Sequence, residues 1–133
     1  MALHNQLGKA GELAACRYLM NKGYRILAVN WHYKNYEADI LATDRRTLIA
    51  IEVKTRTSSA VIEATNTIDR DKKRHIISVA HAFRREKRID LPLRYDAIVA
   101  LYSPAQGVFE ITHYKNFFEE GDVQNFSYCH RFI

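Results

Sequence analysis

Residues 37–54 read EADILATDRRTLIAIEVK, and this stretch decides the fold. Two apolar runs flank the polar segment DRR, which is short enough to be the turn of a hairpin. Because side chains alternate along a strand, Glu52 and Lys54 are expected on one face of the second strand. Asp39 lies on the partner strand, within reach of Glu52. The sequence therefore predicts a hairpin that brings two carboxylates and one ammonium group together.

The residue types in this hairpin suit phosphodiester chemistry. Charged groups on so apolar a strand are costly to bury unless they bind something. Carboxylates are hard oxygen ligands that suit Mg²⁺ or Mn²⁺, and the carbonyl oxygen of Val53 could add a third ligand. Lys54 could orient a metal-activated water or neutralise charge on the phosphate. The alternative interpretation is a solvated strand edge with a surface ion pair, worth less than about 1 kcal/mol.

The N-terminal segment adds a third carboxylate. Residues 3–22 have helical periodicity and are followed by Gly23, a favourable C-terminal cap. Glu12 is predicted to face the sheet, because its neighbours on one stripe of the helix are small or apolar. These neighbours are Gly8, Ala15, Cys16 and Leu19. A carboxylate in that position needs a partner, and a metal or Lys54 would serve. In the alternative, Glu12 lies at the margin of the stripe and reaches solvent.

Gly8 and Gly11 interrupt this helix near its start. Each glycine costs about 1 kcal/mol of helix stability relative to alanine. Their presence favours a helix that packs closely against another backbone.

An ordered series of motifs makes the chain resemble a known family. The motifs are G-x-x-G-E at 8–12, GYRIL at 23–27, EAD at 37–39, EVKTR at 52–56, Lys72 or Lys73, RYD at 94–96 and HYKNFF at 113–118. In this order they resemble the YraN-like family of small predicted endonucleases. That family is similar to the PD-(D/E)-x-K nuclease superfamily, closest to archaeal Holliday junction resolvases. The resemblance implies that Glu12, Asp39 and Glu52 are metal ligands and that Lys54 is the catalytic lysine.

Two places depart from the family pattern. Tyr36 stands where the family usually has glycine, which crowds the backbone beside the predicted metal. The SSAVI segment at residues 58–62 replaces a Phe-Gly pair and alters a loop that could approach nucleic acid. Neither departure removes an acidic or lysine position.

A basic segment points to a polyanionic partner. Residues 69–88 hold eight basic and three acidic residues, an excess of +5 that equals the formal net charge of the chain. One apolar side predicts a helix. We expect Lys72 or Lys73 near the scissile phosphate and Arg84 and Arg85 along the nucleic-acid backbone, which gives affinity without sequence readout. The alternative is a solvated helix whose charges complement its dipole.

Length and composition predict one domain with a real core, since 47% of the 133 residues are hydrophobic. We expect residues 1–121 to form it and residues 122–133 to be a tail that packs on the body or at an interface. No apolar run approaches the ~20 residues that span a bilayer, and no signal-peptide core is present, so we expect no membrane partner and a cytoplasmic location. Cys16 and Cys129 are expected to be free thiols, and no histidine is assigned to the metal.

The segments predict an α/β fold, a mixed central sheet flanked by helices. The family resemblance implies that this sheet is restriction-endonuclease-like. Strands are expected at residues 24–31, 93–101 and 108–113 besides the hairpin, with Arg94 and Asp96 paired within one strand. The predicted function is a Mg²⁺- or Mn²⁺-dependent endonuclease acting on structured or branched DNA. Symmetric cutting of a junction would require a homodimer. The alternative is a catalytically inactive nucleic-acid-binding module with the same fold.

Overall fold

The computed structural model describes residues 2–57 and 68–123, with side chains from residue 5 onward. The departure at residues 58–62 and the tail beyond residue 123, including Cys129, therefore lie outside the described residues. Val123, the last described residue, is buried in the larger of two hydrophobic cores.

The described residues form a mixed five-stranded sheet flanked by two helices. In chain order the elements are α1 (Ala2–Asn21), β1 (Arg25–Tyr33), β2 (Tyr36–Thr43), β3 (Leu48–Thr57), α2 (Arg70–Lys87), β4 (Leu93–Ser103), β5 (Val108–Phe118) and a 3₁₀ turn (Glu120–Asp122). The strands lie side by side in the order β1-β2-β3-β4-β5. All neighbours are antiparallel except β3 and β4, which are parallel because α2 connects them as a crossover. The predicted α/β fold is confirmed, and it is consistent with a restriction-endonuclease-like domain.

Alternating residues of β3 separate the two cores. Leu48 and Ala50 belong to the core under α2, whereas Ile49 and Ile51 belong to the core under α1. This alternation follows from the period of two in a strand, so the two helices cover opposite faces of the sheet. Glu52 continues the sequence of residues that face α2.

The ends of α2 follow from its sequence. The Asp69 side chain accepts a hydrogen bond of 2.9 Å from the backbone nitrogen of Lys72, which caps the first turn. At the other end Arg88 takes the left-handed conformation, with φ of 56°. Between them, the predicted apolar side is buried on the sheet: Ile76, Ile77, Val79, Ala80, Ala82 and Phe83.

One of the two glycines of α1 has the predicted packing role. A Cβ atom on Gly11 would collide with the Thr55 side chain of β3, so glycine lets α1 approach the sheet. Gly8 has open space around its Cα atom, and the close-packing explanation does not apply to it. Gly23 ends the helix as predicted, with φ of +93°.

The last strand is longer than its sequence pattern indicates. β5 extends beyond His113 to Phe118, although Asn116 has a left-handed φ of 53°. The register between β4 and β5 shifts between Tyr95 and Ala97, which accommodates this irregularity. Neither helix in the described ranges is long and apolar enough to cross a membrane.

Candidate active site

The candidate site lies where β2 and β3 stop pairing. The antiparallel ladder runs from Thr43 opposite Leu48 to Ile40 opposite Ile51 and goes no further. Beyond that point the Asp39 carboxylate accepts a 2.8 Å hydrogen bond from the backbone nitrogen of Val53. A side chain thus takes the place of a backbone carbonyl, and the strands separate. We call this place the β2–β3 opening, defined by Asp39, Glu52 and Val53.

Two carboxylates adjoin in the opening. Asp39 is 9% exposed and Glu52 is 3% exposed, and their side chains are in contact. Burial, followed by repulsion from the Glu52 carboxylate, raises the pKa of Asp39 to about 8. The hydrogen bond from Val53 opposes this shift but does not cancel it. Burial and the nearby carboxylate therefore both favour the uncharged form of Asp39 while no cation is bound.

Two lysines share one oxygen of Glu52. The ammonium groups of Lys54 and Lys72 lie 3.3 Å and 3.2 Å from Oε2. Burial alone would lower the pKa of Lys72, but the Glu52 carboxylate outweighs it and the pKa is raised. The other oxygen, Oε1, is buried and has no hydrogen-bond partner among the described residues. An unpartnered buried carboxylate oxygen is costly, which makes it a natural point for a ligand.

The four predicted nucleic-acid-binding residues do not form one patch. Lys72 lies in the opening, whereas Lys73 turns towards β5 and lies 5.4 Å from the ring centre of Phe118. Arg84 donates a hydrogen bond to the carbonyl of Leu91, and Arg85 is exposed. Because Arg85 follows Lys72 by thirteen residues, the two are about 20 Å apart along the helix. Binding of nucleic acid by these residues stays a prediction.

Glu12, on the other helix, lies beside the opening, and among the described residues it forms no hydrogen bond or ion pair with the two carboxylates there. It borders a cleft of about 280 Å³ together with Leu7, Gly8 and residues 53–56. Burial, together with the carboxylates of Glu37 and Glu52, raises the pKa of Glu12, while a hydrogen bond from Asn30 opposes the rise. Glu12 is therefore half-buried, between the two alternatives that its helical position left open, and its role as a metal ligand stays a prediction.

The chemistry of the opening fits a hard divalent cation. Two adjoining carboxylates, one with an unpartnered oxygen, are suitable donors for Mg²⁺ or Mn²⁺. Across residues 5–57 and 68–123, no group of three or more Asp, Glu, His or Cys side chains is arranged to hold an ion. Asp39 and Glu52 thus form the core of the site, and Glu12 stands apart from it. Val53 meets Asp39 through its N–H, and the use of its carbonyl as a ligand stays a prediction.

Comparison with known proteins identifies the family. The sequence profile described as "Uncharacterised protein family UPF0102" matches residues 11–100, a range that contains the β2–β3 opening and both helices' contributions to it. The chain belongs to this family.

Relatives of similar length come from several bacteria. A UPF0102 protein of Parabacteroides distasonis is 41% identical over 118 residues, covering 89% of this chain and 96% of the relative. A UPF0102 protein of Porphyromonas gingivalis is 39% identical over 118 residues, covering 89% and 87%. One from Lawsonia intracellularis is 32% identical over 123 residues, covering 92% of each chain.

A third buried carboxylate of this UPF0102 protein, Asp96, is part of a network on the face covered by α1. Arg94 donates to both of its oxygens, at 2.9 Å and 2.8 Å, so the predicted pair is confirmed. His113 donates from Nε2 at 2.8 Å, and the backbone nitrogen of Asn116 donates at 2.9 Å. Burial would raise the pKa of Asp96, but the bonds from His113 and Arg94 outweigh it and the pKa is lowered.

A further contact that sequence reasoning missed joins α2 to the end of the sheet. Glu120 Oε2 accepts a hydrogen bond of 2.6 Å from the Tyr95 hydroxyl and lies 2.7 Å from His81 Nε2. Burial, followed by the Glu120 carboxylate, raises the pKa of Tyr95. No spacing rule relates these three residues, because each lies on a different element.

Proposed function

We propose that this protein is a metal-dependent endonuclease that hydrolyses phosphodiester bonds in structured or branched DNA. The observation that supports it is the pair of adjoining buried carboxylates, Asp39 and Glu52, in which Oε1 of Glu52 has no partner among the described residues. Holding two carboxylates together out of water raises the free energy of their charged forms, and the pKa of Asp39 is raised accordingly. Shifted pKa values of this kind concentrate at functional sites. A cation bound between the two carboxylates would replace the proton and supply the missing partner.

Asp39 and Glu52 are the residues that would hold Mg²⁺ or Mn²⁺, with Glu12 and the Val53 carbonyl completing the proposed set. When bound, such a metal polarises the scissile phosphate and makes an attacking water more acidic.

The lysines supply positive charge on the side of α2. Lys54 would neutralise charge that develops on the phosphate and orient the attacking water. Lys72 would hold the same or the neighbouring phosphate, because its ammonium group already lies 3.2 Å from Glu52. Both lysines contact a carboxylate oxygen in the ligand-free protein, so an incoming phosphate would exchange one anionic partner for another.

The test is a cleavage screen with end-labelled single-stranded, duplex, flap and four-way-junction DNA in Mg²⁺, in Mn²⁺ and in EDTA. We expect cleavage that requires the metal, and we expect a loss of at least about 100-fold in Glu52→Gln, since a ligand and a transition-state contact are both removed. Asp39→Asn and Lys54→Met should be equally defective.

The matched control is Glu86→Gln, which changes an exposed carboxylate at the far end of α2. It should cleave like the parent protein. Circular dichroism and thermal melting show whether each variant is folded. Full cleavage by a folded Glu52→Gln variant would contradict the assignment.

A catalytically inactive nucleic-acid-binding module is the second candidate. The observation that favours it is that both lysines already contact Glu52, while no three-carboxylate group is assembled in the described part of the chain. This candidate predicts salt-sensitive DNA binding that survives Glu52→Gln and Asp39→Asn, with no cleavage in either metal. Binding would instead fall when Lys72, Lys73, Arg84 and Arg85 are neutralised.

Cutting of a symmetric junction would further require two copies of the chain, one for each strand. Light scattering during gel filtration, with and without four-way-junction DNA, measures this directly. A 1:1 complex that cuts both strands of the junction in one binding event would exclude the homodimer.

A further inference from the structure

A cleft lined by arginines lies at the C-terminal end of α2. It has a volume of about 400 Å³, and its lining residues are His81, Arg84, Arg85, Arg88, Ile89 and Asp90. Three arginines and one acid, Asp90, thus line the cleft. Two further acids lie near it: Glu120 is 2.7 Å from His81, and Glu86 is 3.7 Å from the ammonium group of Lys87. The lining residues have a formal excess of positive charge, and the cleft is open to solvent.

The three arginines have different roles. Arg84 is part of the wall, because its guanidinium donates 3.0 Å to the Leu91 carbonyl and lies 3.4 Å from His81. Arg85 and Arg88 are exposed, with no hydrogen bond or ion pair formed by their guanidinium groups within the described residues. Two exposed guanidinium groups beside a fixed third one form a surface that suits phosphate oxygens.

The backbone at Arg88 is also unusual. Arg88 has φ of 56° and ψ of 47°, and its N–H bonds to the carbonyls of Arg84 and Arg85. Glycine is the residue that helix ends prefer in this conformation, since it has no Cβ atom to crowd the backbone. Arginine therefore occupies a position where glycine would be more stable. Such strain is common where the side chain has a function.

The helix itself fixes the distance between the cleft and the proposed active site. Arg85 and Arg88 follow Lys72 by thirteen and sixteen residues, which correspond to about 20 Å and 24 Å along the axis. On double-stranded DNA, with 3.4 Å per base pair, this span covers about six to seven base pairs. A duplex is stiff over such a length, whereas a single strand is not, so only a duplex presents phosphates at a fixed distance.

We propose that this cleft binds the phosphates of a duplex arm, about six to seven base pairs from the bond to be cut. The proposal rests on the proposed function, because it takes Lys72 as the contact nearest the scissile phosphate. It narrows the substrate class to DNA with an uninterrupted duplex flanking the cleavage point on one side. Because the proposed contact is to phosphates and not to base edges, it gives affinity and placement but no sequence preference.

The experiment measures binding in EDTA by fluorescence anisotropy, so that it does not depend on cleavage. The probe is a flap DNA whose one arm is either 4 or 14 base pairs long and closed by a hairpin loop. A third probe replaces the arm by a single strand of 14 nucleotides. The protein is the full chain, compared with the double variant Arg85→Gln/Arg88→Gly. Glycine at 88 removes the charge and relieves the backbone strain, so this variant is expected to fold at least as well as the parent.

The parent should bind the 14-base-pair arm more tightly than either of the other two probes. The double variant should bind all three equally. Its affinity should also fall about ten-fold less than that of the parent when salt rises from 50 to 200 mM, because two phosphate contacts are gone. The control Arg17→Gln/Lys22→Gln removes two exposed charges, one on α1 and one in the turn that follows it, on the other sheet face, and should retain the arm preference.

The outcomes separate the two proposals. An arm preference that the double variant loses supports the cleft, even if no DNA is cut in any metal and the endonuclease proposal fails. Equal binding of all arms by the parent, or an arm preference unchanged in the double variant, overturns the cleft proposal while leaving cleavage untouched. Equal preference for the single-stranded arm overturns the duplex assignment.

Discussion

Two buried carboxylates on strands of the same sheet, separated by β3, differ in how their surroundings treat the charge. Asp96 on β4 accepts four hydrogen bonds, two of them from Arg94, and its pKa is lowered. Asp39 on β2 accepts one hydrogen bond, from Val53, lies against Glu52, and its pKa is raised to about 8. Both side chains are at least nine-tenths buried, so exposure does not explain the difference.

The comparison shows which buried charge the protein has satisfied by itself. Asp96 has a cation, a histidine and a backbone N–H around it, and nothing remains for a ligand to do. At Asp39 and Glu52 both ammonium groups meet one oxygen of Glu52, and the other oxygen of Glu52 has no partner among the described residues. The Asp96 network stabilises the connection between β4, β5 and α1. The Asp39–Glu52 pair is instead incompletely satisfied, so binding of a ligand there would lower the free energy of the protein.

The largest expected effect on stability comes from removing the charge of Asp96, whose hydrogen bonds are complete. Asp96→Asn leaves Arg94 and His113 without their carboxylate in a buried place, and we expect a loss of about 3–5 kcal/mol in the free energy of unfolding. Urea denaturation followed by circular dichroism measures it. The control Glu110→Gln removes an exposed carboxylate from β5 and should change stability by less than about 0.5 kcal/mol. A loss in Asp96→Asn no larger than that of the control would show that the network is not structural.

The sequence predicts the hairpin that carries Asp39 and Glu52 better than it predicts the network around Asp96. Strand alternation and helical periodicity are local patterns, so the hairpin, the crossover and the face of Glu52 follow from them. Contacts between distant elements depend on register and docking. His113 meets Asp96 only because β5 pairs with β4 in one register, and that register includes an irregularity near Tyr95.

For a similar reason, the sequence alone does not decide whether Lys72 or Lys73 lies in the site. Adjacent positions on a helix differ by about 100° in direction, so the rotation of α2 on the sheet decides which ammonium group meets Glu52. That rotation is set by packing and by the Asp69 cap. The unpaired oxygen of Glu52 could not be predicted either, because it results from the separation of β2 and β3 after Ile40.

The next prediction acts on the opening from the side of α1. Gly11→Ala would place a methyl group against Thr55 and push α1, with Glu12, away from β3. We expect a loss of about 1–3 kcal/mol, as for other overpacked sites. Part of the loss should be recovered when Thr55→Ala is added, because alanine lacks both the hydroxyl and the methyl group that the new Cβ atom would meet. Thermal melting of the two variants checks both parts, and no recovery in the double variant would contradict the predicted collision.

Relief of repulsion in the opening should stabilise the metal-free protein. Asp39→Asn keeps an oxygen for the Val53 N–H and removes the charge next to Glu52. We expect a gain of about 0.5–2 kcal/mol at pH 8 in EDTA, the usual trade between stability and a functional charge. Mg²⁺ should raise the melting temperature of the parent but not that of the variant. A variant that is less stable than the parent at this pH would refute the repulsion.

The two carboxylates should also have opposite pH dependences. Because the pKa of Asp39 is raised in the folded protein, its protonation stabilises the fold. This contribution is complete below about pH 4 and is lost as pH rises towards 8. The free energy of unfolding then falls by at most about 1.4 kcal/mol per pH unit. The lowered pKa of Asp96 contributes stability above its ordinary value of 3.8, which is lost as pH falls below it. Urea titrations between pH 3 and 9 should show Asp39→Asn without the alkaline decline and Asp96→Asn without the acid decline.

The smallest effect should come from Gly8→Ala. This position has open space for a Cβ atom, so the variant should gain only helix propensity, about 0.5–1 kcal/mol. A higher melting temperature for Gly8→Ala and a lower one for Gly11→Ala would show that only Gly11 is needed for close packing. A loss in both would mean that α1 packs closely along its whole first half.

The Asp39 carboxylate accepts a hydrogen bond from the Val53 backbone N–H in place of a backbone carbonyl. Binding of a ligand in the opening therefore affects a backbone hydrogen bond directly. A ligand that draws charge from this carboxylate must weaken its hold on the Val53 amide proton. The chemical shift of the Val53 amide proton in a nuclear magnetic resonance spectrum should therefore change when an ion binds, without any attached probe or substrate.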